Sequence, residues 1–182
     1  MADGLAAARW LAGRFNPAGG VIRAWGSGNE SMPLVKGAPP VYMAGAAIID
    51  CMLNLPLLYW ASETSGDPRF KQIAMRHADT TRQHFIRENG SVIHIVEFDP
   101  ESGKVKTDHG GQGYGRGSSW TRGQAWGLYG FASSYRHTQK KEYLETAEKI
   151  ASYVIANIPE NGLIPSDFCQ PEEPWVQDDI GA

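Results

Sequence analysis

Apolar positions divide the chain into helical stretches separated by polar turns rich in glycine and proline. The most apolar stretch is Ala46 to Thr64, AAIIDCMLNLPLLYWASET, in which Ile48, Ile49, Cys51, Met52, Leu53, Leu55, Leu57, Leu58, Tyr59 and Trp60 leave no polar face. That pattern predicts a helix buried on most sides, not an amphipathic surface helix. The stretch is too short and too interrupted for a membrane span. Pro56 cannot donate to the carbonyl of Met52, so the helix is expected either to kink there or to have a loose first turn around Asp50. Upstream, Leu5, Ala8, Leu11 and Phe15 fall at helical spacing, so Leu5 to Phe15 reads as the tail of a longer helix. Asn16 to Gly20 ends it, and Val21 to Trp25 reads as extended. Gly26 to Pro40 is a polar loop long enough to suggest a functional or mobile role.

Downstream, Asp67 is placed to cap a helix with Pro68 at its first position. Phe70, Ile73, Ala74, His77 and Thr81 carry that helix toward Ile86. Ser91 to Phe98 alternates, which puts Val92, His94, Val96 and Phe98 on one face of a strand. Asp99 to Gly103 is a turn, and Lys104 to Thr107 returns as the partner strand of a small β-hairpin. After the glycine-dense loop Gly110 to Gly117, Ser118 or Ser119 is expected to cap a long helix from Trp120 to about His137. Tyr143 to Ala156 predicts another helix, and Gly162 to Phe168 a short extended segment. An internal echo links these parts. Ser65 to Phe70 with Ala74 matches Thr138 to Tyr143 with Ala147, each after an aromatic-rich helix. Two successive helical hairpins of related design point to a toroid or solenoid, because neither buries its apolar face alone.

Composition narrows the partners. The 182 residues suit one domain, spanning 1–182, or a piece of a larger one. With 42% hydrophobic and 20% charged residues the chain reads as soluble and globular. A net charge of −3 and no basic run argue against nucleic acid, and no membrane partner is indicated. The opening MADGLAAARW has an early Asp and no long apolar core, so no secretory signal is expected and the cytosol is the expected compartment. Cys51 and Cys169 have no metal-type spacing and are expected to be buried thiols.

Two places carry candidate chemistry. Asp50 lies inside the apolar stretch, where an unpaired charge is costly, so it either caps the helix or serves as a functional acid. Asn54, four residues on, could orient it. Arg122 sits in the first turn of its helix, where the backbone dipole disfavours a cation. It either holds an anion, with Trp126 on the same face, or forms an ordinary salt bridge. The glycine loop lacks the dinucleotide spacing, no GK[ST] follows, and the five histidines show no HExxH pattern. Glycosidase logic would need a second acid beside Asp50; Glu97 and Asp99 flank a strand, and alternation puts Glu97 opposite His94.

In that setting GGVIRAWG, IIDCMLNLPLLYWAS, TSGDPRF, the FDPESG turn, SSWTRGQAWGLYGFA and the Pro159–Gly162 to Asp167–Phe168 stretch resemble the unsaturated glucuronyl hydrolases, glycoside hydrolase family 88, in order and over nearly the whole chain. The resemblance implies an all-α fold, an α/α toroid of six helical hairpins. Here it would be a partial toroid with a small β-hairpin, the N-terminal and C-terminal hairpins lying outside these residues. It implies a hydrolase that hydrates the C4=C5 double bond left on a terminal uronate by polysaccharide lyases, after which the hemiketal opens and the glycosidic link breaks. Asp50 would protonate C4 and help activate the water that attacks C5, as a general acid/base without a covalent sugar intermediate. Such an acid needs a pKa raised by apolar surroundings, which the Asp50 stretch offers. His94, Gln112, Arg122 and Trp126 match substrate-binding positions, with Trp25 and Trp120 as stacking walls, and no cofactor or metal is implied. Gly111 stands where bacterial members often have His, and the family's second essential aspartate has no counterpart here. Activity is therefore expected of the full-length enzyme. The alternatives are an unsaturated rhamnogalacturonyl hydrolase of the same fold and a non-catalytic truncated fragment.

Overall fold

The computed structural model describes residues 1–26, 28, 30–33 and 39–171. Their helices are α1 (Ala2–Ala12), α2 (Leu55–Ser65), α3 (Pro68–His84), α4 (Thr121–Thr138) and α5 (Lys141–Asn157). Short antiparallel strands fill the intervals: β1 (Phe15–Asn16) with β2 (Val21–Ile22), and β3 (Ser31–Met32) with β4 (Val41–Tyr42). A three-stranded sheet in the order β5–β6–β7 joins β5 (Ala46–Ile48), β6 (Ile95–Phe98) and β7 (Val105–His109). Helix thus predominates, and the expected lone hairpin is widened to three strands by β5. No described helix is long and apolar enough to cross a membrane.

The echo between the helical hairpins holds in the backbone. Gly66, φ 71°, ends α2 in the left-handed region, and Gln139, φ 58°, ends α4 the same way. Asp67 and Lys140 follow as N-caps, and Asp67 accepts the Arg69 N–H as expected. Phe70 and Tyr143 are buried at matching places, as are Ala74 and Ala147. A left-handed non-glycine costs about 1–2 kcal/mol. Gln139 offsets part of this by donating Nε2 to the carbonyls of Tyr135 and Arg136. The two hairpins lock together where Tyr59 stacks on His137 at 4.8 Å and the Tyr143 hydroxyl meets Asp79 Oδ1 at 2.8 Å.

The stretch Ala46 to Thr64 is not one helix. Ala46–Ile48 is strand β5, Ile49–Asn54 is a 3₁₀ helix, and α2 starts at Leu55. Pro56 supplies the reason. It has no N–H for the carbonyl of Met52, which instead accepts from Leu55 N–H, three residues on. Apolar residues on every side are equally compatible with a buried strand followed by a tight turn. Helix α4 lies directly on this 3₁₀ segment because Gly130 has no side chain: a Cβ there would come within 2.4 Å of Met52 Cβ.

Other boundaries move for similar reasons. Helix α1 ends at Ala12, and Phe15 is already in β1. The alternating run from Ser91 becomes regular strand only at Ile95, after an isolated bridge between Val92 and Ile86. All four β6 residues are buried, so this strand has no solvent face. Neither Ser118 nor Ser119 caps α4: Trp120 is the N-cap residue and makes no side-chain cap bond. Cys51 is buried as expected, and burial pushes its thiol up to about 12, but Cys169 is exposed. The loop expected over Gly26 to Pro40 contains β3, and its residues 27, 29 and 34–38 lie outside the described residues.

His77 on α3 ties the core to pH. It is fully buried, its Nδ1 accepts the Ile22 N–H, and burial lowers its pKa from 6.5 to about 4. The unfolded chain binds a proton near pH 6.5 that the folded chain refuses until about pH 4. Stability therefore falls as pH drops through that window, by about 3 kcal/mol in all. Urea unfolding at pH 7 and pH 5 is expected to show wild type losing about 2 kcal/mol more than His77→Gln. Equal losses would refute this.

Candidate active site

Asp50 is presented by the 3₁₀ segment. Side chains three apart eclipse in that geometry, so Asp50 lines up with the exposed Leu53, and Cys51 with Asn54. Asn54 accordingly lies beside the Cys51 thiol and not on the side of Asp50. Asp50 does not cap α2 either, since the N-cap residue there is Asn54. Its side chain is 32% exposed rather than enclosed, yet Oδ2 is buried and accepts no hydrogen bond.

His94 stands next to that oxygen, with Nε2 3.4 Å from Oδ2. It is 8% exposed and comes from the residue just before β6, whose backbone carbonyl accepts the Ile49 N–H. That bond joins the strand to the segment carrying Asp50. The separation from Oδ2 exceeds a formed hydrogen bond, and such contacts often tighten only in substrate complexes. On its other side the ring accepts the Gln112 N–H at Nδ1, 3.0 Å away, and packs on Trp120 with centroids 4.4 Å apart.

Arg122 lies 5.9 Å over the Trp120 ring, in the first turn of α4. Among the described residues no carboxylate pairs with it. A guanidinium half-buried against an indole, with no carboxylate partner among the described residues, keeps its donor fork available to a ligand carboxylate. Trp126 is one turn on, partly buried against the main core. Trp120 is 6% exposed, so it supports His94 and Arg122 more than it offers a free face. Asp50, His94, Gln112, Trp120 and Arg122 thus form a chain of contacts. Trp25 is outside it, packed with Ile48 against Val41, Ala46 and Ile95.

Alternation across β6 separates two faces, as the sequence pattern implies. Glu97 lies on the face away from His94, where its Oε2 takes His109 Nε2 at 3.1 Å and the Tyr42 N–H at 3.2 Å. Asp99 is engaged by the N–H groups of Glu101 and Ser102 in its own turn. Neither acid contacts Asp50. A cavity of about 410 Å³, lined by Val41, Ile95, Glu97, His109 and Tyr114, opens on the Glu97 face and is also lined by Gly111, which lies against His94.

The residue that pattern reading passed over is Asp167. It is 0% exposed and accepts three backbone N–H groups, from Ser119 and Cys169 at Oδ1 and from Tyr114 at Oδ2. It braces the glycine loop and the start of α4 together. The only sequence signal was a buried acid inside a short extended run.

No protein-family model matches the chain. It is 43% identical over 178 residues, 98% of its length, to the unsaturated glucuronyl hydrolase of Bacillus sp. strain GL1, covering 45% of that protein. The unsaturated chondroitin disaccharide hydrolase of Streptococcus pyogenes serotype M1 is 36% identical over 86% of the chain and 37% of that protein. The crystal structure of the Bacillus sp. GL1 unsaturated glucuronyl hydrolase, described as responsible for the degradation of glycosaminoglycan, superimposes with a TM-score of 0.82 at 42% identity, covering 94% of the chain and 43% of that structure. The chain spans a little under half the length of these relatives. By sequence and by fold, these residues match the corresponding part of the unsaturated glucuronyl hydrolases.

Proposed function

We propose that the protein hydrolyses unsaturated uronyl oligosaccharides by hydrating the C4=C5 bond of the terminal unsaturated glucuronate. The observation that carries this reading is the Asp50–His94 pair joined through Trp120 to an Arg122 that pairs with no carboxylate among the described residues. One end handles a proton and the other holds a carboxylate, and an unsaturated uronate offers both targets. Asp50 protonates C4 and then takes a proton from the water that adds to C5; the hemiketal so formed opens and releases the neighbouring sugar. His94 and Gln112 border the reacting ring, Trp126 flanks the carboxylate site beside Arg122, and Trp25 borders the sugar beyond. The two helical hairpins here form part of a six-hairpin toroid, whose remaining hairpins complete the site.

The direct test is full-length protein with an unsaturated uronyl disaccharide, followed by loss of the alkene absorbance. Turnover is expected; a folded full-length protein that leaves the absorbance unchanged would remove the reading. Arg122→Lys keeps the charge but loses the planar fork and the indole stack. A charge-assisted hydrogen bond contributes about 1.5–3 kcal/mol, so KM is expected to rise on the order of 10-fold or more. Lysine binding the uronate as well as arginine would show that the fork is not used.

A further inference from the structure

Both ring nitrogens of His94 have a neighbour, a bonded one at Nδ1 and Asp50 Oδ2 near Nε2. The Gln112 N–H donates to Nδ1 at 3.0 Å, so that nitrogen is an acceptor and carries no proton. A neutral imidazole that accepts at one nitrogen donates at the other. The donor is then Nε2, which lies 3.4 Å from a buried Asp50 oxygen that accepts no hydrogen bond. The backbone of Gln112 thus has a task separate from its side chain.

The turn that brings this N–H to the ring depends on Gly111. Its φ is +59°, a region disfavoured for side-chain-bearing residues, and a Cβ there would lie 2.1 Å from His94 Nδ1. Nothing that close is tolerated, so any side chain at this position must push either the turn or the ring away. In this turn a side chain is opposed by contact as well as by conformation.

We propose that the Gly111–Gln112 turn is a positioning device for the reaction: it holds His94 as the Nε2–H tautomer, and this N–H, set against Asp50 Oδ2, leaves Oδ1 as the oxygen that exchanges the catalytic proton. The proposal rests on the acid/base reading of Asp50. Oδ1–H gives its proton to C4 while the C4=C5 π pair forms the new C–H bond. A water oxygen then bonds to the electron-deficient C5, and a proton from that water returns to Oδ1. Asp50 and His94 end as they began. With the opposite tautomer the Nε2 lone pair would face Oδ2. It would repel the carboxylate, or bind the acid's proton and hold it away from C4.

The test labels histidine nitrogens with ¹⁵N in the full-length protein and reads the imidazole shifts at a pH of active turnover, with His94 assigned from the signals lost in His94→Gln. Nδ1 is expected as an unprotonated acceptor and Nε2 as protonated. A protonated Nδ1 with a bare Nε2 would overturn the proposal. Gly111→Ala is expected to mix the tautomers and lower kcat on the order of 10–100-fold, with KM changing less; a wholly wrong tautomer costs a serine-protease triad about 10⁴-fold. Mixed tautomers with wild-type kcat would also overturn it. Should Gly111→Ala not fold, His94→Gln and His94→Asn replace it. Gln reaches the Nε2 position and can donate to Oδ2, while Asn reaches only the Nδ1 position. Gln is expected to retain the higher kcat, and the reverse order would count against the proposal. A normal rate in Asp50→Asn would instead defeat the acid/base reading and leave the tautomer result standing.

Discussion

Asp50→Asn in the full-length protein is expected to lower kcat on an unsaturated uronyl disaccharide by about 10²–10⁴-fold, the usual contribution of a positioned general acid/base. Asparagine keeps the shape of the side chain but has no proton to give C4 and no basic oxygen for the incoming water. The fold should hardly notice. Asp50 accepts no hydrogen bond at Oδ2, caps no helix, and is one-third exposed. Substitutions of that kind usually stay within about 0.5 kcal/mol in stability. The thermal melt should therefore match wild type while turnover collapses. Near-normal turnover with an unchanged melt would show that the carboxylate does not move the proton.

The features legible in the sequence were those decided locally. Asp67 followed by Pro68 specifies a helix start whatever surrounds it, and the structure has it. The match between Ser65–Phe70 and Thr138–Tyr143 worked although Gln139 replaces Gly66, because the left-handed cap and the buried aromatic recur together. Arg122 stands out in the sequence as a broken local rule, a cation at the positive end of a helix, and among the described residues no carboxylate pairs with it. Where partners arrive from far along the chain, the pattern was silent. Asp50 looked enclosed because its neighbours are apolar, but the 3₁₀ turn swings it to the side of Leu53 and toward His94, 44 positions later. Ser118 and Ser119 looked like caps by their place before the helix. The carboxylate that serves this helix start belongs to Asp167, 48 positions downstream of the amide it binds. Periodicity reports which residues are inside, and does not say which distant group satisfies them.

Asp167→Ala is expected to be the most destabilising single change near the site. Its carboxylate is fully buried and accepts the N–H groups of Ser119, Cys169 and Tyr114 at 2.8–2.9 Å. Around it, Thr121 N–H bonds the Ser166 carbonyl, and Phe168 N–H bonds that of Ser119. The negative charge also sits where the positive end of α4 favours it. Alanine leaves three donors in a site from which water is excluded. Each unsatisfied donor costs about 1–3 kcal/mol, so the sum is several kcal/mol against a typical domain stability of about 5–15 kcal/mol. Asparagine retains one acceptor oxygen but turns an NH₂ toward one of the donors, which places it between alanine and wild type. The damage should be directional as well as large. Tyr114 lies in the loop that carries Gly111 and Gln112, so releasing it loosens the turn against His94 and exposes residues 110–117 to proteolysis before the helical hairpins unfold. Urea unfolding should rank wild type above Asp167→Asn and Asp167→Ala last, with early cleavage in the glycine loop of both variants. An alanine variant as stable as wild type, with that loop still protected, would mean that the three amides find other acceptors and that Asp167 is not the brace.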